Sequence, residues 1–248
     1  MQAPGFKVFH VQDIDFRSHC LLLSMCLATI VDWSNKHPSH FPIFITINAK
    51  ADFIDRPGFV RPLEFTAQAW DALDQEITAA MGSRLLRPDD LRKGQSTLRE
   101  AVLAGWPLLD EVRGKFLFVL DDSAAKKQSY MNGHPSLSGR AMFVDAAESE
   151  PEAAIRIVND PIGRGDYIRS LVNEGFIVRT RSDADTKEAR TGDGSRLKAA
   201  LESGAQIVST DYYVGDERFG TGFVVRLPAT ARCNPGLREP CLLSDQPD

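Results

Sequence analysis

Short apolar runs alternate with amphipathic stretches along the chain. FKVFHV (6–11) and PIFITINA (42–49) read as strands, the second β-branched, aromatic and opened by Pro42. KFLFVLDD (115–122), RAMFVDA (140–146), AIRIVND (154–160), FIVRTRSD (176–183) and QIVSTDYY (206–213) continue the series. FGTGFVVRLPA (219–229) offers a terminal strand or extension. Most of these runs are continuously apolar, the pattern of strands covered on both faces. Helical stretches lie between them. Leu22, Met25, Cys26, Thr29, Ile30 and Trp33 recur at helical spacing, which predicts a helix over 18–33. Helices are also expected over 64–81, 166–173 and 190–203, with Gly82, Gly175 and Gly204 as their stops. Ser96 is a candidate cap for another, with Arg99 and Glu100 in its first turn, and a short helix is expected near Pro107. His37-Pro38 and residues 51–63, punctuated by Pro and Gly, read as loops.

This repeated strand–helix order predicts an α/β fold on a parallel sheet, as a single domain over 1–248. No GxGxxG follows the first strand, so a dinucleotide-binding fold has no support. The composition, 43% hydrophobic and 25% charged, is that of an ordinary globular chain. A net charge of -5 without a long basic run argues against nucleic-acid binding through phosphate neutralisation. One or two local Arg or Lys residues would still suffice for a phosphate substrate. No run of 18 apolar residues predicts a transmembrane helix. The opening MQAPGFKVFH lacks the features of a signal peptide and reads as the lead-in to a strand, so Met1 is expected to be an internal residue of a longer protein. Cys20 and Cys26 form one close pair, Cys233 and Cys241 another. Two local disulfides in an exported protein and four separate thiols both fit. Cys20 and Cys26 cannot bridge if both lie in one regular helix.

Polar residues gather where the apolar runs end: His10, Asn48, Lys50, Asp121, Asp122, Asn159, Asp160, Arg179, Arg181, Thr210 and Asp211. A (β/α) barrel places its site at the C-terminal ends of its strands. Acid/base, anionic and cationic groups together suit phosphate-ester chemistry. His10 precedes Asp13 and Asp15, and a carboxylate can orient an imidazole as a general acid requires. The alternative is a structural histidine at a strand end. Lys50 and Arg179 can hold a phosphate, Arg as a fork and Lys as a point charge, or can pair with the strand-end carboxylates. Asn48, Asp121 and Asp122 offer oxygens to a hard cation, or serve as caps and turns. His19, His37, His40 and His134 read as surface residues. Ser209-Thr210-Asp211 lacks the GxSxG setting of a serine hydrolase.

FKVFHVQDIDFRSHC, CLATIVDWSNKHPSHFPIFITINAK, FIVRTRSDADTKEAR, GAQIVSTDYY and the late RCNP, in this order, resemble the calcium-dependent phosphatidylinositol-specific phospholipase C family. The resemblance spans nearly the whole chain. It implies a TIM-type (β/α) barrel in which two histidines act as general base and general acid and one Ca2+ ion assists. His10 matches the second histidine. Nothing before it matches the first histidine with its asparagine, or the glutamate and aspartate of the second strand. Lys50 and Asn48 match the end of the third strand, Asn48 as a metal ligand, and Arg179 matches a later strand end as a substrate-binding residue. About six of eight barrel strands are thus expected, in an incomplete barrel. The implied activity is phosphoric diester hydrolysis in lipid metabolism, at the glycerol–phosphate bond of phosphatidylinositol on a peripheral membrane surface. The full-length form is expected to be secreted, and this chain to be inactive alone. A glycerophosphodiester phosphodiesterase and a catalytically dead barrel that binds inositol phosphates or membranes are the alternatives.

Overall fold

A computed structural model describes residues 4–227 and residue 231. Its strands form two parallel sheets. β1 (Ile43–Ile47), β2 (Phe116–Leu120) and β3 (Phe143–Val144) make the first, in that order. β4 (Ile155–Ile157), β5 (Ile177–Arg181) and β6 (Ile207–Ser209) make the second. The register pairs Ile47 with Leu120, Leu120 with Val144, Ile157 with Arg179, and Arg181 with Ser209, so strand ends align on one side. A parallel bridge from Asp145 to Ile155 joins the two sheets. Phe44, Thr46, Val119, Ile155, Arg179 and Ile207 border one cavity of about 120 Å³, so side chains of both sheets face a common interior.

Helices cover the other face: α1 (Leu23–Lys36), α2 (Ala67–Met81), α3 (Pro88–Arg92), α4 (Leu98–Ala104), α5 (Ala124–Met131), α6 (Pro161–Glu174), α7 (Lys187–Thr191) and α8 (Ser195–Glu202). In α2 the Thr66 side chain accepts from the Ala69 N–H, and Trp70, Leu73, Ile77 and Met81 make a buried stripe at helical spacing. Removing a side chain such as Trp70 would cost about 3–5 kcal/mol. Beneath α2 sits a buried polar knot. The Tyr130 hydroxyl donates to Asp74 at 2.7 Å, and Arg140 reaches Asp74 at 3.2 Å and Asp71 at 2.8 Å. Gly114, which leads into β2, has φ of +70°, and a Cβ there would lie 2.7 Å from the Pro38 carbonyl oxygen. Only glycine fits that approach.

The structure departs from the sequence pattern in several places. FKVFHV joins neither sheet. Lys7 instead bridges Leu22 in antiparallel fashion, and a tight hairpin follows from Val11 to Asp15. The first helix begins at Leu23, not residue 18. That late start leaves Cys20 outside the helix, and Cys20 and Cys26 form a disulfide with their Cα atoms 5.3 Å apart. Cys233 and Cys241 lie outside the described residues. The stretch near Pro107 is a 3-10 turn at Leu109–Glu111. Thr97, not Ser96, caps α4, in a capping box with Glu100. The helix expected over 166–173 starts earlier, at Pro161, capped by Asp160. The one expected over 190–203 is two helices, α7 and α8, separated by Gly192-Asp193-Gly194. Residues 219–227 contain no strand, and 228–230 lie outside the described residues. His40 is not a surface residue: its ring is half-buried beside Trp33 and Phe116, with Nε2 2.9 Å from the Ser34 hydroxyl. His37 and His134 are half-buried as well, whereas His19 is exposed.

Candidate active site

His10 stands at the foot of the Val11–Asp15 hairpin. Val11 and Asp15 exchange backbone hydrogen bonds of 2.9 and 2.8 Å, which turns the Asp15 carboxylate back towards the imidazole. Asp15 Oδ2 lies 3.0 Å from His10 Nδ1, and 71% of the His10 side chain is exposed. Asp15 therefore orients the ring and leaves Nε2 facing outward, the arrangement an acid–base imidazole needs. Lys50, just beyond β1, donates from Nζ to the His10 carbonyl at 2.6 Å. His10, Asn48 and Lys50 share a cavity of about 290 Å³ whose wall includes Phe6, Phe65 and Leu73.

Arg179 lies on the inward face of β5 and borders the adjoining smaller cavity, with Thr46 on the wall of both. Its guanidinium donates to Asn159 Oδ1 at 2.8 Å. Burial lowers the Arg179 pKa, the neighbouring Arg181 lowers it further, and Asp121 and Asp211 raise it. Burial raises the Asp121 carboxyl, with Arg179 as the largest opposing influence. Two arginines two residues apart on one strand repel one another, and the charges of Asp121 and Asp211 oppose that at Arg179. A bound anion would do the same.

The strand-end residues divide by role. Asn48 donates its side-chain N–H to the Asp121 carbonyl, tying the ends of β1 and β2. The Asp122 carboxylate accepts from the Ala49 N–H and the Ser123 N–H, each at 2.7 Å, and pairs with Lys126. It therefore latches the loop after β1 to the start of α5. Asp160 caps α6. Asp211 is exposed, and its N–H donates to Asp183. Two site-lining or supporting residues escape the strand-end rule, and the role of a third was not legible from it. Thr46 and Arg156 sit inside apolar runs, where a lone polar residue was the available signal. Asp145 ends a run, yet its role needs the fold. Its carboxylate takes Arg156 at 2.5 Å, Lys127 at 3.2 Å and the Ile157 N–H at 3.1 Å.

A calcium ion takes six to eight oxygen ligands. Among the described residues no group of three or more His, Cys, Asp or Glu could hold a metal ion. The side-chain oxygen of Asn48 is a single donor. The described residues therefore do not fit a calcium site by themselves.

The parallel α/β architecture thus carries a histidine–carboxylate pair, His10 and Asp15, and two cations, Lys50 and Arg179, on adjoining cavities. Residues 1–235 match the family described as phosphoinositide phospholipase C, Ca2+-dependent, and the chain belongs to that family. Among solved structures, it is similar to a calcium-dependent phosphoinositol-specific phospholipase C from Pseudomonas sp. in a myoinositol complex, at 20% identity and TM-score 0.55. That match covers 76% of this chain and 65% of the Pseudomonas chain. A Ca2+-dependent phosphatidylinositol-specific phospholipase C from Streptomyces antibioticus matches at 20% identity and TM-score 0.56, over 79% of this chain and 72% of its own. A search of curated proteins by sequence returned no match. No helix among the described residues is long and apolar enough to cross a membrane.

Proposed function

We propose that this chain is the larger part of a phosphatidylinositol-specific phospholipase C barrel of TIM type, a single domain that cleaves the glycerol–phosphate bond at a membrane surface. The observation that carries this reading is the His10–Asp15 pair beside Lys50 on one cavity, in a chain of this family. His10 is the general acid: it gives its Nε2 proton to the diacylglycerol oxygen as the phosphorus–oxygen bond breaks, a contribution of roughly 10²–10⁴-fold. Asp15 holds the ring for that transfer. Lys50 and Arg179 bind the phosphate and inositol side of the substrate, Arg179 from the inward face of β5. Asn48 is our assignment for an oxygen offered to the family's calcium ion, and the remaining ligands are not among the described residues. With a single candidate acid–base histidine at this site, the chain alone is expected to show little or no turnover. The Cys20–Cys26 disulfide supports an exported, oxidising location.

Calorimetric titration with inositol 1-phosphate tests the reading. Binding should be seen for the chain, be lost in Arg179→Ala, be weakened in Lys50→Ala and survive in His10→Ala. Phosphatidylinositol turnover in excess calcium should stay near the uncatalysed rate. Absence of inositol 1-phosphate binding would remove the phosphodiesterase reading. In any preparation with measurable turnover, His10→Ala should slow the natural lipid far more than a nitrophenyl ester, whose leaving group needs no proton.

A further inference from the structure

The end of the molecule away from the His10 site holds a second cavity, of about 560 Å³ against about 290 Å³ beside His10. That volume falls within the roughly 300–1,000 Å³ of small-molecule sites. The chain builds it at the entrance to β2. Leu85 bridges Phe116 in parallel fashion, and the Leu86 N–H donates to the Phe116 carbonyl at 2.9 Å. The stretch after α2 therefore lies beside the first residue of β2, and Lys115 directly precedes that residue. The length of β2, about 13 Å of extended chain, separates this end from Asp121. The floor of the cavity is apolar: Leu85 and Leu86 are buried, and Pro107 and Val112 are half-buried.

The charges around that floor do not balance. The segment GSRLLRPDDLRK (82–93) holds Arg84, Arg87, Arg92 and Lys93 against Asp89 and Asp90. Both carboxylates are spent within the segment, Asp89 on Arg92 and Asp90 on Arg87. Arg84 takes the neutral Asn35, and the Lys93 side chain has no partner among the described residues. Lys115, half-buried, donates from Nζ to the Ser83 carbonyl at 2.5 Å, which uses one of its donors and leaves its charge unopposed there. Glu111 also borders the cavity, and its Oε2 accepts the Leu108 N–H at 3.0 Å. Arg87, Lys93 and Lys115 thus line a space whose carboxylates are Asp90 and Glu111, a local excess of cation in a chain of net charge -5. The Thr78 and Ser83 hydroxyls border the same space as neutral donors. We propose that this cavity binds a small phosphate monoester with an apolar body: Lys93 and Lys115 take the phosphate, and Leu85, Leu86 and Val112 take the body. Two ammonium groups match a phosphate dianion better than they match a single carboxylate, and Lys meets phosphate as a point charge. This second site stands apart from the His10 cavity and is independent of the phospholipase reading.

Titration of the chain with phenyl phosphate, followed by backbone amide chemical shifts, reads the two ends of the molecule separately. Amides in residues 82–93 and 107–115 should shift and saturate. Lys115→Met, which keeps an aliphatic stem, and Lys93→Gln, at an exposed position, should each weaken that binding roughly tenfold or more. Inorganic phosphate, which buries no apolar area, should bind there roughly tenfold more weakly than phenyl phosphate. Benzyl alcohol, which carries no charge, should also bind roughly tenfold more weakly. Arg179→Ala should leave the shifts in these two segments unchanged. The absence of saturable shifts there would overturn the proposal, as would full-strength binding in either lysine variant. Benzyl alcohol binding as tightly as phenyl phosphate would show that the cations take no part, and inorganic phosphate binding as tightly would show that the floor takes none. Either result overturns the assignment. So would loss of the shifts in Arg179→Ala, because the anion would then sit in the strand-end cavity.

Discussion

β1 and β2 lie side by side over five paired positions, and their sequences, IFITI and FLFVL, are almost equally apolar. Their surroundings differ. Every residue of β2 is buried, whereas in β1 Thr46 is exposed and the other four are half-buried. β2 has a paired strand on each side. β1 and β6 each have one among the described residues. Strand composition therefore reports suitability for a covered surface, and the neighbours decide whether cover is present. An apolar strand with an unpaired edge is a place where further chain can add. β1 and β6 border the same cavity, so their open edges flank one interior.

The largest effect expected from this contrast is in stability. Phe118→Ala in β2 should cost about 3–5 kcal/mol in urea unfolding, and Phe44→Ala in β1 about 1–2 kcal/mol, because half-buried atoms lose less and leave no sealed cavity. Equal losses would mean that β1 is as enclosed in solution as β2. Next comes the staple beside β1. Cys20→Ser should cost about 2 kcal/mol, the loop-closure value for so short a ring. Amide exchange should quicken in residues 6–22 and β1 and stay unchanged in β2. Protection lost equally in both strands would show that the staple supports the whole core.

The smallest effect is a slope. Burial raises the Asp74 carboxyl beneath α2, ahead of the lowering by Tyr130 and Arg140. A raised folded pKa favours the folded state below the unfolded value of 3.8. That contribution is lost as pH rises through the raised value. Asp74→Asn does not titrate, so between pH 3 and pH 6 wild-type stability should fall relative to the variant. A flat difference would show that the pairing with Arg140 cancels burial.

Much of the framework was legible in the residues. PIFITINA and KFLFVLDD announce covered strands, and the Gly stops after α2 and α6 mark true helix ends. FKVFHV misled because an apolar run of that length does not say what it pairs with. α5 went unseen because AAKKQSYM has no run of large apolar residues at helical spacing. Its one local signal is Ser123, whose hydroxyl accepts from the Lys126 N–H. At the candidate site, the strand-end rule brought out His10, Asn48, Lys50 and Arg179. It could not separate Asp122, whose carboxylate latches Ala49 and Ser123, from Asp121, whose carboxyl is influenced by burial and Arg179, because that depends on the folded surroundings. Nor could it foresee that Asp15 would orient His10 while Asp13 reached across to Val60. The hairpin makes that division.

One contact carries a thermodynamic corollary. An ammonium has three N–H donors, and Lys50 spends one on the carbonyl of His10. An anion drawn to the other two is therefore linked to the loop that carries the imidazole. Reciprocity requires that whatever free energy the anion adds to the loop's ordering, the ordered loop returns to the anion's affinity. Ligand occupancy and acid placement become two readings of one equilibrium, with Lys50 as the shared term.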